Sequence, residues 1–350
     1  MDDQLSETTF NVRVERPASG GGVGRAPDGR VAFVRHSLPG ELVRVEVKEI
    51  TSSFYRADAI EILEASPERV MPPCPYFHAD GCGGCDLQHA SSRAQRDWKA
   101  ALVKEHLRRI AGLERDVEVT ATPGTGEGSR TRLRCGVDED GNLGLRQARS
   151  HQLVAIDRCW ISDPIFAAAF AHAWPGVDEV ELRAIGEGVP FAVARRSAER
   201  GGHFDLRSLD GAPLNPSTRS RVAVRDHVYT VGPESFWQSH RDAPTLLVNS
   251  VLEFADVSAG DDVVDLFSGV GLFSVPLAKL VGPGGRVSAV ESSPNSVRDA
   301  RENAEGLRHL KVREWSVSPR SVNDTVREGS IVVLDPPRHG LGKGVVEAIA

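Results

Sequence analysis

The sequence predicts a multidomain chain, α+β and α/β in class: a small N-terminal β-barrel, a central α+β region and a C-terminal domain on a parallel sheet. Three observations carry that expectation. Short Val-, Ile- and Phe-rich runs broken by glycines fill residues 10–64, a tight group of cysteines follows, and strands alternate with helical stretches from about Pro233. At 350 residues the chain is long enough for two or three domains, and 40% hydrophobic residues can form sizeable cores.

The barrel rests on Phe10–Glu15, Val31–Arg35, Leu42–Ile50 and Phe54–Leu63, partly alternating runs punctuated by turns at Gly20-Gly21-Gly22 and Leu38-Pro39-Gly40. Ser66-Pro67 and Pro72-Pro73 mark a linker. In Ser91–Ile110, Ala94, Trp98, Ala101, Leu102, Leu107 and Ile110 recur at helical spacing. Residues 117–230 mix strand-like runs with Gly/Pro breaks and give no order. Further on, Ala243–Phe254, Leu272–Leu280, Asn295–Glu305 and Lys343–Ala350 read as helices; Asp262–Phe267, Arg286–Val290 and Ile331–Leu334 read as strands. The expected division is 1–66, 67–230 and 231–350.

Composition narrows the function less than the motifs do. A net charge of −7 does not advertise a nucleic-acid partner. Between Arg93 and Arg134, however, ten Lys/Arg stand against six Asp/Glu, which suits either a face for phosphates or a solvated helix. No apolar run approaches the roughly 20 residues that span a bilayer, and Met1–Thr9 is acidic and polar, unlike a signal peptide. A cytoplasmic monomer is expected. The five cysteines are Cys74, Cys82, Cys85, Cys135 and Cys159. An odd number without an export signal argues against a disulfide scaffold, and three of them within twelve residues suggest a metal site or a redox motif.

The run Asp265-Leu266-Phe267-Ser268-Gly269-Val270-Gly271 falls on a strand, a tight turn and a helix start, where two glycines let a ligand approach the backbone. Glu291, after the next strand, is placed to accept both hydroxyls of a ribose. A dinucleotide fold would want a third glycine where Ser274 stands. Asp265 at the strand favours a cationic ligand over a pyrophosphate, and the sulfonium and amino groups of S-adenosylmethionine are cations. Asp335-Pro336-Pro337-Arg338 follows a strand, its prolines locking a turn that can hold a methyl acceptor. An amino-group methyltransferase would usually stack the base on an aromatic after the prolines; Arg338 stands there instead.

Taken together these residues resemble the RNA uracil-5-methyltransferases with an N-terminal TRAM domain. Gly22-Val23-Gly24-Arg25 and Leu38-Pro39-Gly40-Glu41 look like the TRAM barrel, an OB-like RNA-binding module. Cys74-Pro75-Tyr76-Phe77 and Cys82-Gly83-Gly84-Cys85-Asp86-Leu87-Gln88-His89 look like the family's cluster loop. Phe236-Trp237-Gln238, Asp265–Gly271, Glu291 and Asp335–Gly340 look like its methyltransferase motifs, on a Rossmann-like domain.

The resemblance implies a [4Fe–4S] cluster on Cys74, Cys82, Cys85 and Cys159; structural zinc on the same residues and a redox pair at Cys82 and Cys85 stay open. The gap of seven residues between Cys74 and Cys82 is longer than the family's usual one. Cys135 is left over, with a buried thiol as its plain reading. S-adenosylmethionine contacts are implied at Gln238, Phe267, Glu291 and Asp335. Leu272 departs from a common Asn, which removes one hydrogen bond to the cofactor. Arg130, Arg132 and Arg134 alternate in a strand-like run and are expected either on RNA phosphates or on a charged sheet surface. The implied substrate is ribosomal or transfer RNA, leaning to the large ribosomal subunit. In this family a cysteine thiolate adds to uracil C6 and a carboxylate removes the C5 proton. That cysteine lies on the strand after Asp-Pro-Pro-Arg; no cysteine follows Cys159 here, so nucleophile and base are expected beyond Ala350. Other classes remain: an RNA-binding protein with a non-catalytic methyltransferase fold, or an amino-group methyltransferase.

Overall fold

The computed structural model describes residues 9–197, 202–342 and 344–349. Most of the acidic N-terminal stretch and both ends of the helix expected at 343–350 lie outside the described residues. The chain forms two compact units, Met1–Gly124 with Leu143–Trp160, and Thr125–Asn142 with Ile161–Ala350.

The first unit opens with β1 (Thr9–Ala18), β2 (Gly21–Arg25), β3 (Val31–Arg35), β4 (Leu42–Ile50) and β5 (Phe54–Glu64), closed into a barrel in the order β1-β2-β3-β5-β4. β1 closes on β4 antiparallel, while β3 and β5 run parallel. Alternation sends Val12, Val14, Ala32, Val34, Val43 and Val45 inward to fill it. Of the glycines expected as a turn, Gly21 and Gly22 belong to β2 itself. The reason is close packing on β1: a Cβ at Gly24 would stand 2.3 Å from the Arg13 carbonyl oxygen, and one at Gly22 would stand 2.4 Å from a Val14 methyl.

The Leu38–Glu41 turn is held by its own carboxylate. Fully buried Glu41 accepts from the Leu38 N–H at 2.8 Å and from Arg69 Nε at 2.5 Å. Burial opposes its ionisation, yet Arg69 and the N–H groups hold its carboxyl below the usual range. Helix α1 (Ser92–His106) is capped by Ser91 and packs Trp98 inward, the indole N–H donating to the Ala18 carbonyl at 3.3 Å.

After a strand of the second unit, β6 (Arg132–Val137), the chain returns to the first as the hairpin β7 (Leu143–Arg146) and β8 (Leu153–Ala155). This return is why the observed division differs from a cut at 66. The Gly83 N–H donates to the Arg146 carbonyl at 2.9 Å, and Gln147 Nε2 donates to the Asp80 carbonyl at 2.7 Å, so the hairpin is pinned to the cysteine loop.

In the second unit, β6 pairs antiparallel with β9 (Glu179–Arg183), which pairs with β10 (Phe191–Arg195), and that with β11 (Phe204–Arg207). The short α2 (Ala167–Phe170) precedes β9, and a hairpin of β12 (Ser220–Val224) and β13 (His227–Val231) follows β11. Next come α3 (Ala243–Ala255), β14 (Asp262–Leu266), α4 (Ser274–Val281), β15 (Arg286–Glu291) and α5 (Pro294–Asn303). The unit finishes with β16 (Leu310–Glu314), α6 (Pro319–Thr325), β17 (Ile331–Leu334) and α7 (Val345–Ile349). The four last strands form a parallel sheet in the order β16-β15-β14-β17. The order reverses direction at β14, the switch point beyond which such sheets bind ligands. No helix among the described residues is long and apolar enough to cross a membrane.

Candidate functional site

The parallel register builds a row of site residues. Leu266 pairs with Val290 on one side and Leu334 on the other, so Phe267 and Asp335, one step past the ends of β14 and β17, fall level with Glu291, the last residue of β15. Below them Asp265 is buried in the floor. Its Oδ2 accepts the Ser274 hydroxyl at 2.5 Å, while Oδ1 and the nearby Ser268 hydroxyl are buried with no hydrogen-bond partner. Orphaned acceptors in a closed floor are costly unless a ligand meets them, and a cationic donor suits a carboxylate. These residues fit S-adenosylmethionine.

The loop above is shaped for close approach. Phe267 is held at a φ of 64°, uncommon for a bulky side chain, and Gly269 and Gly271 follow at 55° and 87°. Glu291 already accepts three backbone N–H groups, from Gly269 at 2.9 Å and from Ser292 and Ser293 at 2.8 Å. The carboxylate is therefore fixed toward the loop, with lone pairs left for hydroxyl donors. Glu291→Ala should weaken binding of S-adenosylhomocysteine by about 1.5–3 kcal/mol, the scale of charge-assisted hydrogen bonds. Titration calorimetry measures it, and an unchanged affinity would show that Glu291 does not hold the ribose.

Burial pushes the Asp265 carboxyl up to about 7, against Ser274, which favours its ionised form, and with Asp335 and Glu291 adding repulsion. A folded value above the unfolded one means that the native state binds the extra proton. Stability from this group is thus present at low pH and is lost as pH rises toward 7. The unfolding temperature of the cofactor-free protein should fall between pH 5 and 7.5 by more than that of Asp265→Asn. Parallel curves for the two proteins would contradict this.

Gln238 is placed differently. Its segment is anchored by the fully buried Asp299 of α5, which accepts from the Gly232 N–H at 2.7 Å and the Ser235 hydroxyl at 2.5 Å. The Gln238 carbonyl accepts from the Thr131 hydroxyl at 3.5 Å. Among the described residues, no hydrogen bond joins its side chain to Phe267, Glu291 or Asp335. Leu272, where an Asn was the family's common choice, is buried in the core, and its carbonyl accepts from the Tyr229 hydroxyl at 3.0 Å.

Cys74, Cys82, Cys85 and Cys159 all belong to the first unit. Burial pushes the Cys85 thiol up to about 11, and Cys159, Cys82 and Cys74 add to the rise. The Cys82 thiol is raised likewise by burial, then by Cys159 and Cys74. The four thiols thus lie within electrostatic reach of one another. The loop supplies donors to them: the Gly84 N–H to Cys82 Sγ at 3.4 Å, and the Gln88 side chain to Cys85. Tyr76 ties the two ends together, donating to Asp157 at 2.7 Å. Among the described residues no three His, Cys, Asp or Glu side chains are set to hold one metal ion. No disulfide joins any of the five cysteines.

The comparisons with known proteins agree with this geometry. The TRAM domain model matches residues 6–60, and the TRM5/TYW2 methyltransferase domain model matches residues 252–326. A Streptomyces coelicolor protein named as an uncharacterised RNA methyltransferase is 36% identical, covering 97% of this chain and 81% of its own length. The chain belongs to the RNA methyltransferase family. Another relative of this methyltransferase, in Chromohalobacter salexigens, is named 23S rRNA (uracil(1939)-C(5))-methyltransferase. It is 30% identical over 95% of this chain and 76% of its own length. The solved structure of Pyrococcus abyssi tRNA (uracil-54, C5)-methyltransferase with S-adenosyl-L-homocysteine shares the fold at a TM-score of 0.66. It is 23% identical, covering 97% of this chain and 87% of that one.

In the methyltransferase the arginines expected on RNA have partners inside the sheet. On one face of β6 and β9, buried Glu181 accepts from Arg132 at 2.8 Å, Arg134 at 3.1 Å and Arg183 at 2.5 Å. Arg130 precedes the strand, its N–H donating to the Ile161 carbonyl at 2.8 Å. Sequence reasoning missed Glu181, Arg183, Asp299 and Ser268. Glu181 and Arg183 alternate with the apolar residues Val180, Leu182 and Ala184, which was the available signal.

Proposed function

We propose that this chain binds S-adenosylmethionine through Phe267, Glu291, Asp335 and Asp265 and serves methylation of uridine C5 in RNA, preferentially large-subunit ribosomal RNA. We also propose that Cys74, Cys82, Cys85 and Cys159 hold a [4Fe–4S] cluster. The observation that carries the reading is the row Phe267, Glu291 and Asp335 above the orphaned Asp265 and Ser268. The names of relatives at 30% and 32% identity support the acceptor. Four cysteines are the usual ligand set of such a cluster, and the resemblance of the run Cys74–His89 to the family's cluster loop supports it over zinc.

Cofactor, when bound, supplies an electrophilic methyl group. Uracil C5 attacks it only once a thiolate has added at C6. Within residues 1–350 four cysteines form the cluster set, and Cys135 is fully buried on β6. The polypeptide of residues 1–350 alone therefore holds no thiol for that step. The test is in the cell: delete the gene and map 5-methyluridine in ribosomal and transfer RNA by mass spectrometry. Loss of one 5-methyluridine in the large-subunit RNA is expected; an intact set, or loss of an N-methylated base, would overturn the reading.

A further inference from the structure

Helix α5 carries buried polar side chains that the cofactor contacts do not use. Ser296, Asp299 and Asn303 are shielded from water beside Val297 and Ala300. Buried polar groups need defined partners, and those of Asn303 are Thr230 and Val270. Its Oδ1 accepts from the Thr230 N–H at 2.8 Å. Its Nδ2 donates to the Thr230 carbonyl at 3.1 Å and to the Val270 carbonyl at 3.0 Å. Both hydrogens of the amide are thus committed.

The two bonds to Thr230 stand in for a neighbouring strand. β13 pairs with β12 on one edge, and among the described residues no strand pairs with the other. An open edge is stable only when something covers it. α5 runs along this one in the opposite direction and meets it twice, Asn303 at Thr230 and Asp299 at Gly232. Four helical residues rise about 6 Å and two strand residues about 6.6 Å, so the spacings match. Gly232 permits the second contact, since a Cβ there would stand 2.8 Å from Asp299 Oδ2. Asp299 also takes the Ser235 hydroxyl, three residues before Gln238.

The bond to Val270 reaches the cofactor loop. Val270 lies between Gly269 and Gly271, both at positive φ, and glycine leaves such peptides with little preference of their own. Glu291, three residues before α5, holds the Gly269 N–H, and Asn303, the last residue of α5, holds the Val270 carbonyl. The loop is therefore gripped from both ends of one helix.

We infer that Asn303 is a positioning residue of the cofactor site: it locks the glycine loop to β13, and α5 thereby couples the loop to the segment 235–238. The inference rests on the proposed cofactor site at Phe267, Glu291 and Asp335. Asn303 acts through the Val270 carbonyl. A loop ordered in advance loses less entropy when its ligand arrives, and a ligand that stills the loop also stills what is bonded to it.

Calorimetry with S-adenosylhomocysteine and amide hydrogen exchange on the full chain test this. Asn303→Ala should bind about tenfold more weakly, the scale of one buried hydrogen bond lost with its acceptor left unpaired. Asn303→Asp has the same shape and keeps an acceptor for the Thr230 N–H, but its carboxylate has no hydrogen for Val270, so it should bind as weakly. Val193→Ala, which opens a cavity in the core under β10, should lower the unfolding temperature and leave the affinity unchanged. Saturating ligand should slow exchange across residues 228–238 of the unmodified chain, and the slowing should vanish in Asn303→Ala. Full affinity in both Asn303 variants, an equal loss in Val193→Ala, or exchange at 228–238 that the ligand leaves unchanged would overturn the inference while the cofactor site stands. An unmodified chain that binds no S-adenosylhomocysteine would overturn the cofactor site and this inference with it.

Discussion

Glu181→Ala is expected to destabilise the second unit by about 3–5 kcal/mol, the cost of breaking a buried ion pair. Glu181 and Arg183 are almost wholly shielded from water, and Arg132 and Arg134 reach in to the same carboxylate. Removing the carboxylate leaves the Arg183 guanidinium with its bond to the Ser235 carbonyl at 2.9 Å but no counter-charge. Chemical denaturation followed by circular dichroism measures the loss, and a change under about 1 kcal/mol would show that Arg183 finds water instead. Although burial opposes it, Arg132 and Arg183 hold the Glu181 carboxyl down at about 2. Its stabilisation is therefore complete above the unfolded value near 4.5 and is lost as pH falls toward 2.

Cys82→Ser should remove iron and inorganic sulfide from the anaerobically purified protein and abolish its brown colour. The cluster would close the long loop from Cys85 to Cys159, and a crosslink of that span is worth roughly 4 kcal/mol in chain entropy. The first unit should accordingly unfold at lower temperature, while the affinity of the second unit for S-adenosylhomocysteine should hold. Stoichiometric zinc without sulfide in the unsubstituted protein would refute the cluster.

Three strands of the C-terminal sheet, β14, β15 and β17, were legible because each is a short, mostly apolar run, and β17 falls on the predicted residues Ile331–Leu334. The barrel strands were legible for the same reason, apart from β2. Its glycines look like a turn in sequence and act as a strand because β1 lies too close for side chains. β16 and α6 were missed: Leu310–Glu314 carries three charges in five residues, and α6 is a capped helix of only seven residues. The order of residues 117–230 was illegible because its pairings are long-range, β6 meeting β9 across more than forty residues. Within the site, the row Phe267, Glu291, Asp335 could be named from motifs, but the orphaned acceptors of Asp265 and Ser268 exist only once three strands close over them. The arginine run at 130–134 was visible as charge; its buried partner on another strand was not.

The interleaving of the two units bears on how the chain can be made. Synthesis releases the N-terminus first, so the barrel and the loop with Cys74, Cys82 and Cys85 leave the ribosome before the hairpin and Cys159 that belong with them. The first unit cannot close until Trp160 has emerged, and by then β6 of the second unit is already outside. Any nascent chain paused between Gly124 and Trp160 presents an unfinished thiol set to the cell, and any expression fragment cut in that interval divides one folding unit rather than separating two.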